Sequence, residues 1–398
     1  MNVALATPAL DIEPFDAAFL SDPYSHHAAL REAGAVVWLK SLGVFGMARH
    51  AEVHAALKDW RTFSSSRGVG LADFAKEEPW RPPSLLLEAD PPLHQRTRGI
   101  MNRIISFESL KALKPVWQER ADKLVDRLVA RRHFDAVVDL AEAFPLVIFP
   151  EAVGLPEAGR ENLLVYAAAV FNAFGPRNAI FNAGAETATQ ATAWVAQACR
   201  RNNLTSGGWG LEVYAAADRG ECTDEEAARL VRSILSAGVD TTVNGIGNMI
   251  YAFTRFRDQW DRLRNDPSLT RRAFEESLRW DSTVQTFFRT STRDVEVAGT
   301  VIPEGSKVLL FLAAANRDPR KWQDPERFDI GRQTGGHVAF GFGIHQCLGQ
   351  LVARLEAEVI LAAMLPRIAA IRAVGEPVRR LNNTLHAISS LPVEIDPT

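Results

Sequence analysis

Ten consecutive residues, Phe340-Gly341-Phe342-Gly343-Ile344-His345-Gln346-Cys347-Leu348-Gly349, constrain this chain more than any other stretch. They set one cysteine among closely spaced glycines, directly before a run over 350–368 whose three- and four-residue apolar spacing predicts a helix. Gly341 and Gly343 permit backbone angles that other residues resist, so the chain can lie against a flat cofactor. Gly349 removes side-chain bulk where the helix begins. Peptide N–H groups at a helix start favour a thiolate. The segment therefore reads as a loop that presents Cys347 to a haem iron, and a thiolate ligand favours cleavage of bound dioxygen. Taken alone, a cysteine near glycines is more often a small buried residue with an inert thiol.

The chain has 398 residues, 45 Lys and Arg against 48 Asp and Glu, and 47% hydrophobic residues, as suits a globular protein with a large core. Its length favours two or three domains. No linker, repeat or low-complexity tract divides it, so one continuous domain over 1–398 is expected, with a loose segment over about 1–13. A net charge of −3 and scattered pairs such as Arg200-Arg201 and Arg379-Arg380 give no nucleic-acid footprint. The first residues lack a basic n-region and include Pro8, Asp11 and Pro14, unlike a signal peptide. Apolar runs such as 308–315 are shorter than the roughly 20 residues that span a bilayer. A soluble, cytoplasmic protein away from membranes is expected. Cys199, Cys222 and Cys347 form neither a disulfide framework nor a zinc spacing.

Periodicity predicts helices over 26–32, 51–57, 110–131, 159–174, 187–201, 223–265, 271–280 and 350–368. Strands are predicted over 36–39 and 44–47 as a hairpin about Gly43, over 295–298 and 301–302 across Gly299-Thr300, and over 307–312. The class is mainly α with small peripheral β-sheets. Thr223 and Glu226 form a capping box that opens the longest helix. Within it Gly238 weakens the helix, and Thr241 and Thr242 can bond carbonyls four residues back, opening a groove for oxygen and water. Glu276 and Arg279 stand three apart, on one helical face.

The ten-residue cysteine string, Ala237-Gly238-Val239-Asp240-Thr241-Thr242, and Glu276-x-x-Arg279 followed by Asp324-Pro325-Glu326-Arg327-Phe328 together resemble the signatures of cytochrome P450 enzymes. The resemblance implies the P450 fold and haem b, with Cys347 as axial iron ligand, Phe340 and Gly349 in its loop, and dioxygen as co-substrate. It implies that Asp240 and Thr241 relay protons during oxygen activation. It makes Glu276, Arg279 and Arg327 a triad that locks the loop behind the haem. His94 and Arg98, in Pro92-Leu93-His94-Gln95-Arg96-Thr97-Arg98, match partners of the haem propionates, as do Arg289 and His345. Thr283 stands where family members often carry proline. Read singly, these features are a kink tolerated by packing, a solvated ion pair, surface bases and satisfied histidines.

Four further stretches resemble the bacterial P450 subfamily that oxidises para-substituted benzoates: Ser65-Ser66-Arg67-Gly68-Val69-Gly70-Leu71, Pro79-Trp80-Arg81-Pro82-Pro83-Ser84, Val170-Phe171-Asn172-Ala173-Phe174-Gly175 and Val284-Gln285-Thr286-Phe287-Phe288-Arg289. That likeness, from about Pro14 to Pro392, implies a carboxylate held by Arg81 and Ser84, with Ser233 and Arg232 reaching from the long helix. Leu87, Phe171, Phe174, Ala237, Val284 and Phe287 would enclose the ring. The implied reaction is O-demethylation or hydroxylation of acids such as 4-methoxybenzoate. No flavin or nicotinamide motif is present, so a 2Fe-2S ferredoxin with a separate NAD(P)H-dependent reductase is implied. Arg96, Arg98, Arg103 and Arg354 are candidates for its basic docking rim, on a monomeric enzyme. The rival readings are a P450 for a phenol or terpenoid, a peroxide-driven enzyme, and a haem-thiolate sensor without catalysis. The last two would have no use for Asp240 and Thr241.

Overall fold

The computed structural model describes residues 7–398. Helices whose apolar faces meet in one core dominate it. Helix Phe107–Arg131 buries Leu110, Trp117, Ala121, Leu124, Val125 and Leu128, and packs along Gln350–Met364, the helix that follows Cys347. Helix Asp224–Gly238 opens on the predicted box: the Glu226 N–H donates to Thr223 Oγ1 at 3.1 Å, and the Thr223 N–H to Glu226 Oε2 at 2.9 Å. Among the described residues no helix is long and apolar enough to cross a membrane.

The single helix expected over 223–265 is instead three, Asp224–Gly238, Asp240–Arg255 and Arg257–Asn265. At the first break Val239 forms a bend (φ −98°, ψ −66°) between the two helices. Thr241 Oγ1 donates to the Ala237 carbonyl at 2.6 Å and Thr242 Oγ1 to that of Gly238 at 3.1 Å. Gly238 is required there, since a Cβ would lie 2.2 Å from the Phe149 ring. At the second break Phe256 swings out, its ring centred 5.3 Å from Trp280 and 5.7 Å from Phe328. The other predicted helices are present with their ends moved by a few residues. Helix Leu93–Ile104 escaped the periodicity because its buried side are His94, Thr97, Ile100 and Met101, two of them polar.

Among the described residues six strands form one sheet in the order Ala9–Leu10, Val37–Leu39, Val44–Met47, Lys307–Phe311, Thr286–Ser291, Phe63–Ser64. The predicted hairpin is antiparallel with Trp38 opposite Phe45, and Val295–Val297 pairs with Thr300–Ile302. Strand Thr286–Ser291 was absent from the sequence reading. Alternation along it puts Phe287 and Arg289 on one face, toward the cavity described below, and Phe288 on the other, stacked 6.2 Å from Phe15. The loose terminus over 1–13 needs correction. Residues 1–6 lie outside the described residues, but Ala9–Leu10 pairs in parallel with Trp38–Leu39, and Trp38 N–H donates to Pro8 O at 2.7 Å.

Glu276 and Arg279 are both fully buried, joined at 2.7 and 2.9 Å. Arg279 also donates to the carbonyls of Asn316, Pro325 and Arg327 at 2.9, 2.9 and 3.1 Å. The third charged partner is Arg332, whose Nε donates to Glu276 at 3.1 Å, with the Asp329 N–H at 2.9 Å. Arg327 gives this cluster only its carbonyl and turns its own side chain to solvent, which corrects the predicted triad. The loop reverses at Asp324 (φ 47°), and five residues past Arg327 it brings Arg332 inward. Arg332→Met should therefore cost about 2 kcal/mol, from the lost bonds to Glu276 and to the Gln323, Asp324 and Arg327 carbonyls, while Arg327→Met should stay within about 0.5 kcal/mol. Chemical denaturation of the two variants checks this, and equal losses would contradict the assignment.

Candidate active site

The cysteine loop closes on itself through a hydrogen bond from the Cys347 N–H to Phe340 O at 2.8 Å. Gly341 and Gly343 both have positive φ, 68° and 72°, and a Cβ on Gly343 would sit 2.7 Å from the Leu57 carbonyl. Cys347 lies in the wall of an internal cavity with Phe340, His345 and Gly349. Burial pushes its thiol up, while the Gly349 and Gln350 N–H groups and the Arg98 and Arg354 charges pull the other way.

Near the cysteine the cavity holds cations short of anions. Arg289 is fully buried and, among the described residues, bonds only the Phe288 carbonyl, at 2.8 Å. Burial brings its pKa down to about 10, with Asp90 opposing. Burial also lowers Arg98, with Cys347 opposing. The rings of His94 and His345 lie 4.4 Å apart, and burial lowers both, His94 to about 4. His94 Nε2 and His345 Nδ1 are buried without a partner among the described residues. Uncompensated buried cations are costly, so this donor set fits a ligand that brings carboxylates, as haem does. Asp90, absent from the sequence reading, steadies the group. Burial pushes its carboxyl up, but bonds from His345 and Ser64 and the N–H groups of Ser65 and Ser66 hold it at about 2.

The predicted ring slot is also in this cavity wall, with Leu87, Phe171, Phe174, Ala237, Val284 and Phe287. The rings of Phe171, Phe174 and Phe287 meet edge-on in sequence, each step 5.7 Å. Arg81, Ser84 and Ser233 share the wall, with the two hydroxyls 3.1 Å apart. Ser84 Oγ also accepts the Leu86 and Leu87 N–H groups, and Ser233 Oγ donates to Arg229 O at 2.8 Å. Arg81 Nη1 pairs with Glu88 at 3.0 Å, yet its Nε is buried without a partner among the described residues. Arg232 is not in the wall. It donates to Pro82 O at 2.7 Å and braces the loop from behind, a correction to its predicted contact.

Thr241 lines the cavity, whereas Asp240 is fully buried outside its wall. Asp240 Oδ1 accepts from Arg380 Nη2 at 2.6 Å and Asn244 Nδ2 at 3.0 Å, while Oδ2 has no partner among the described residues. The Arg380 side chain is 32% exposed, so it links this acid to the surface. The proposed docking rim also needs correction. Arg96 and Arg103 are taken up by Glu226 and Glu221, and Arg354 by Glu275, while Arg98 faces the cavity. Acidic residues at the start of helix Asp224–Gly238 neutralise that surface.

Sequence reasoning missed Glu88, Asp90, Arg332, Arg380 and Glu356. An acid inside an apolar run, as in Leu85-Leu86-Leu87-Glu88, is the one available signal, because a buried charge needs a partner. Glu356 lies in the second turn of helix Gln350–Met364, and neither carboxyl oxygen has a partner among the described residues. Burial drives it well above its ordinary 4.5. The folded chain then keeps a proton that the unfolded chain releases above that pH, so Glu356 costs stability as pH rises. The melting advantage of Glu356→Gln over the parent should grow from about pH 5 to about pH 8. A constant difference across that range would mean that Glu356 is ionised in the fold.

Comparison with known proteins agrees with this geometry. The cytochrome P450 family model matches residues 211–371. A cytochrome P450 of Rhodopseudomonas palustris, CYP199A2, is 56% identical over 391 residues, covering 98% of this chain and 95% of the relative. The monooxygenase PikC of Streptomyces venezuelae is 33% identical, covering 97% and 94%. Among solved structures, cytochrome P450 CYP109Q5 of Chondromyces apiculatus aligns with a TM-score of 0.82 at 30% identity, over 98% of this chain and 99% of that one. Cytochrome P450 CREJ in complex with (4-ethylphenyl) dihydrogen phosphate aligns with a TM-score of 0.86 at 25% identity, over 96% and 99%. The chain belongs to the cytochrome P450 family and is a monooxygenase that uses haem b and dioxygen.

Proposed function

We propose that this monooxygenase acts on para-substituted benzoic acids such as 4-methoxybenzoate. The observation that carries the reading is Arg81, whose buried Nε has no partner among the described residues, in the wall of the same cavity as the Ser84 and Ser233 hydroxyls and Cys347. A carboxylate entering an apolar slot needs charge-assisted donors, and these are present. The likeness of the loop and helix segments to benzoate-oxidising P450s supports the same reading.

In this account Cys347 is the iron ligand, Phe340 and Gly349 shape its loop, and His94, Arg98, Arg289 and His345 take the propionates. Haem b supplies dioxygen binding and oxygen insertion when it is held there. Arg81 Nε and the two serine hydroxyls would bind the carboxylate, and Phe171, Phe174 and Phe287 would hold the ring so that its para substituent faces the cysteine side. The phenylalanine cluster keeps bulk water from the reacting carbon. Thr241 Oγ1 can turn its proton from the Ala237 carbonyl into the cavity, and the neighbouring carboxyl of Asp240, held by Arg380 and Asn244, can resupply it. Oxidation of a methoxy group consumes dioxygen, two electrons and two protons. It gives water and a hemiacetal, which collapses to the phenol and formaldehyde. Electrons would come from a 2Fe-2S ferredoxin with its own NAD(P)H-dependent reductase. The free thiols of Cys199, Cys222 and Cys347 fit a cytoplasmic setting.

Titration of the haem-loaded protein, followed by its Soret band, tests the substrate class. 4-Methoxybenzoate should shift the band, and its methyl ester should need on the order of 100-fold more ligand, the worth of a charge-assisted bond. Arg81→Ala should weaken the acid by a similar factor and leave the ester nearly unchanged. Equal losses for acid and ester would remove the carboxylate anchor. Thr241→Ala should divert reducing equivalents from product to peroxide or water, and unchanged coupling would contradict the proton relay.

A further inference from the structure

Glu88 has no part in the steps above, yet it sits at the anchor. It is 6% exposed; its Oε2 accepts the Ser84 N–H at 2.7 Å and forms an ion pair with Arg81 Nη1 at 3.0 Å, while Nη1 donates to the Pro82 carbonyl at 3.1 Å. One side of the Arg81 guanidinium is thereby occupied, and Nε is left as its free buried donor. The other charged or titratable groups around this place are Arg229, Arg232, Lys307, Tyr166 and Cys199. Arg229 and Arg232 donate to the Pro83 and Pro82 carbonyls, each at 2.7 Å, and Lys307 to those of Arg67 and Gly68. Burial raises Tyr166 and Cys199, so both stay neutral. A ligand with one negative charge meets the free Nε donor and the two hydroxyls, which would turn their protons to it from each other and from the Arg229 carbonyl. Glu88 lies outside the cavity wall and is paired with Arg81, so it offsets the guanidinium's charge, and a second negative charge on the ligand meets a cation that is already neutralised.

We propose that Glu88 sets the charge the pocket accepts: by pairing with Arg81 it admits aromatic monoanions and repels dianions. This deepens the anchored-acid reading and rests on it. Specificity here comes from a built-in repulsive element as well as an attractive one.

An aryl phosphate is the discriminating probe, because the same ring carries two charges well above a second pKa near 6 and mostly one below it. The haem-loaded protein and Glu88→Gln are titrated with 4-ethylbenzoate, its methyl ester and 4-ethylphenyl phosphate, read by Soret shift and calorimetry. At about pH 8 the parent should bind the benzoate at least about tenfold tighter than the phosphate. Glu88→Gln should shrink that gap by about tenfold or more. In the parent, phosphate affinity should rise on the order of 50-fold from about pH 8 to about pH 6, following the monoanion fraction, while benzoate affinity holds nearly constant. A gap unchanged in Glu88→Gln, or a phosphate affinity flat with pH, would overturn the role of Glu88. If Glu88→Gln does not fold, the pH series on the parent decides alone. A parent that binds 4-ethylbenzoate no tighter than its ester loses the anchored-acid reading itself. One that prefers the acid but fails the charge tests loses only the role of Glu88.

Discussion

Glu276 and Arg279 have no solvent contact, so each of their polar atoms must find its partner inside the protein. The partners are loop groups: carbonyls of Asn316, Pro325 and Arg327, the N–H of Asp329 and the guanidinium of Arg332. Helix Thr270–Trp280 thereby grips the start of the segment that ends in Cys347. Its neighbouring residue, Glu275, grips the rest. It receives His337 Nε2 at 2.7 Å and pairs with Arg354, which lies 4.7 Å over the Phe340 ring. Two successive glutamates thus hold a long loop at both ends, and the position of the thiol follows from them.

The cavity beyond that loop is organised by unequal charge. Around Arg98, Arg289, His94 and His345 positive or donor groups outnumber anions, and Asp90 is already engaged by serines and His345. Around Arg81 the cation has an acid of its own. The first arrangement suits a cofactor that arrives with two carboxylates. The second suits a small acid that takes up the remaining donor capacity. Between them the walls are aromatic and aliphatic, and an uncharged body can fill them without leaving polar groups unpaired.

Much of this was legible where one residue type has one physical use. The left-handed glycines of the cysteine loop, the Thr223–Glu226 capping box and the weakness at Gly238 follow from local chemistry, and local chemistry is present in sequence. The choice of Arg332 over Arg327 was not, since both are arginines in one polar loop and the turn at Asp324 decides between them. The partner of Asp240 is 140 residues away, on a strand without a motif. Helix Leu93–Ile104 has two polar residues, His94 and Thr97, among the four it buries, so a search for apolar spacing passes over it. Arg96 and Arg103 read as a free basic edge until the acids of the following helices are brought against them. The misassigned arginines and the partner of Asp240 share one cause: long-range pairing of charged side chains, which no local pattern records.

The most direct measurement is a crystal structure of the haem-loaded enzyme with 4-methoxybenzoate. The account predicts the carboxylate within hydrogen-bonding distance of Arg81 Nε and the Ser84 and Ser233 hydroxyls, the ring among Phe171, Phe174 and Phe287, and the methoxy carbon facing the iron held by Cys347. An acid bound the other way round, with its carboxylate toward Arg98 and Arg289, would contradict it.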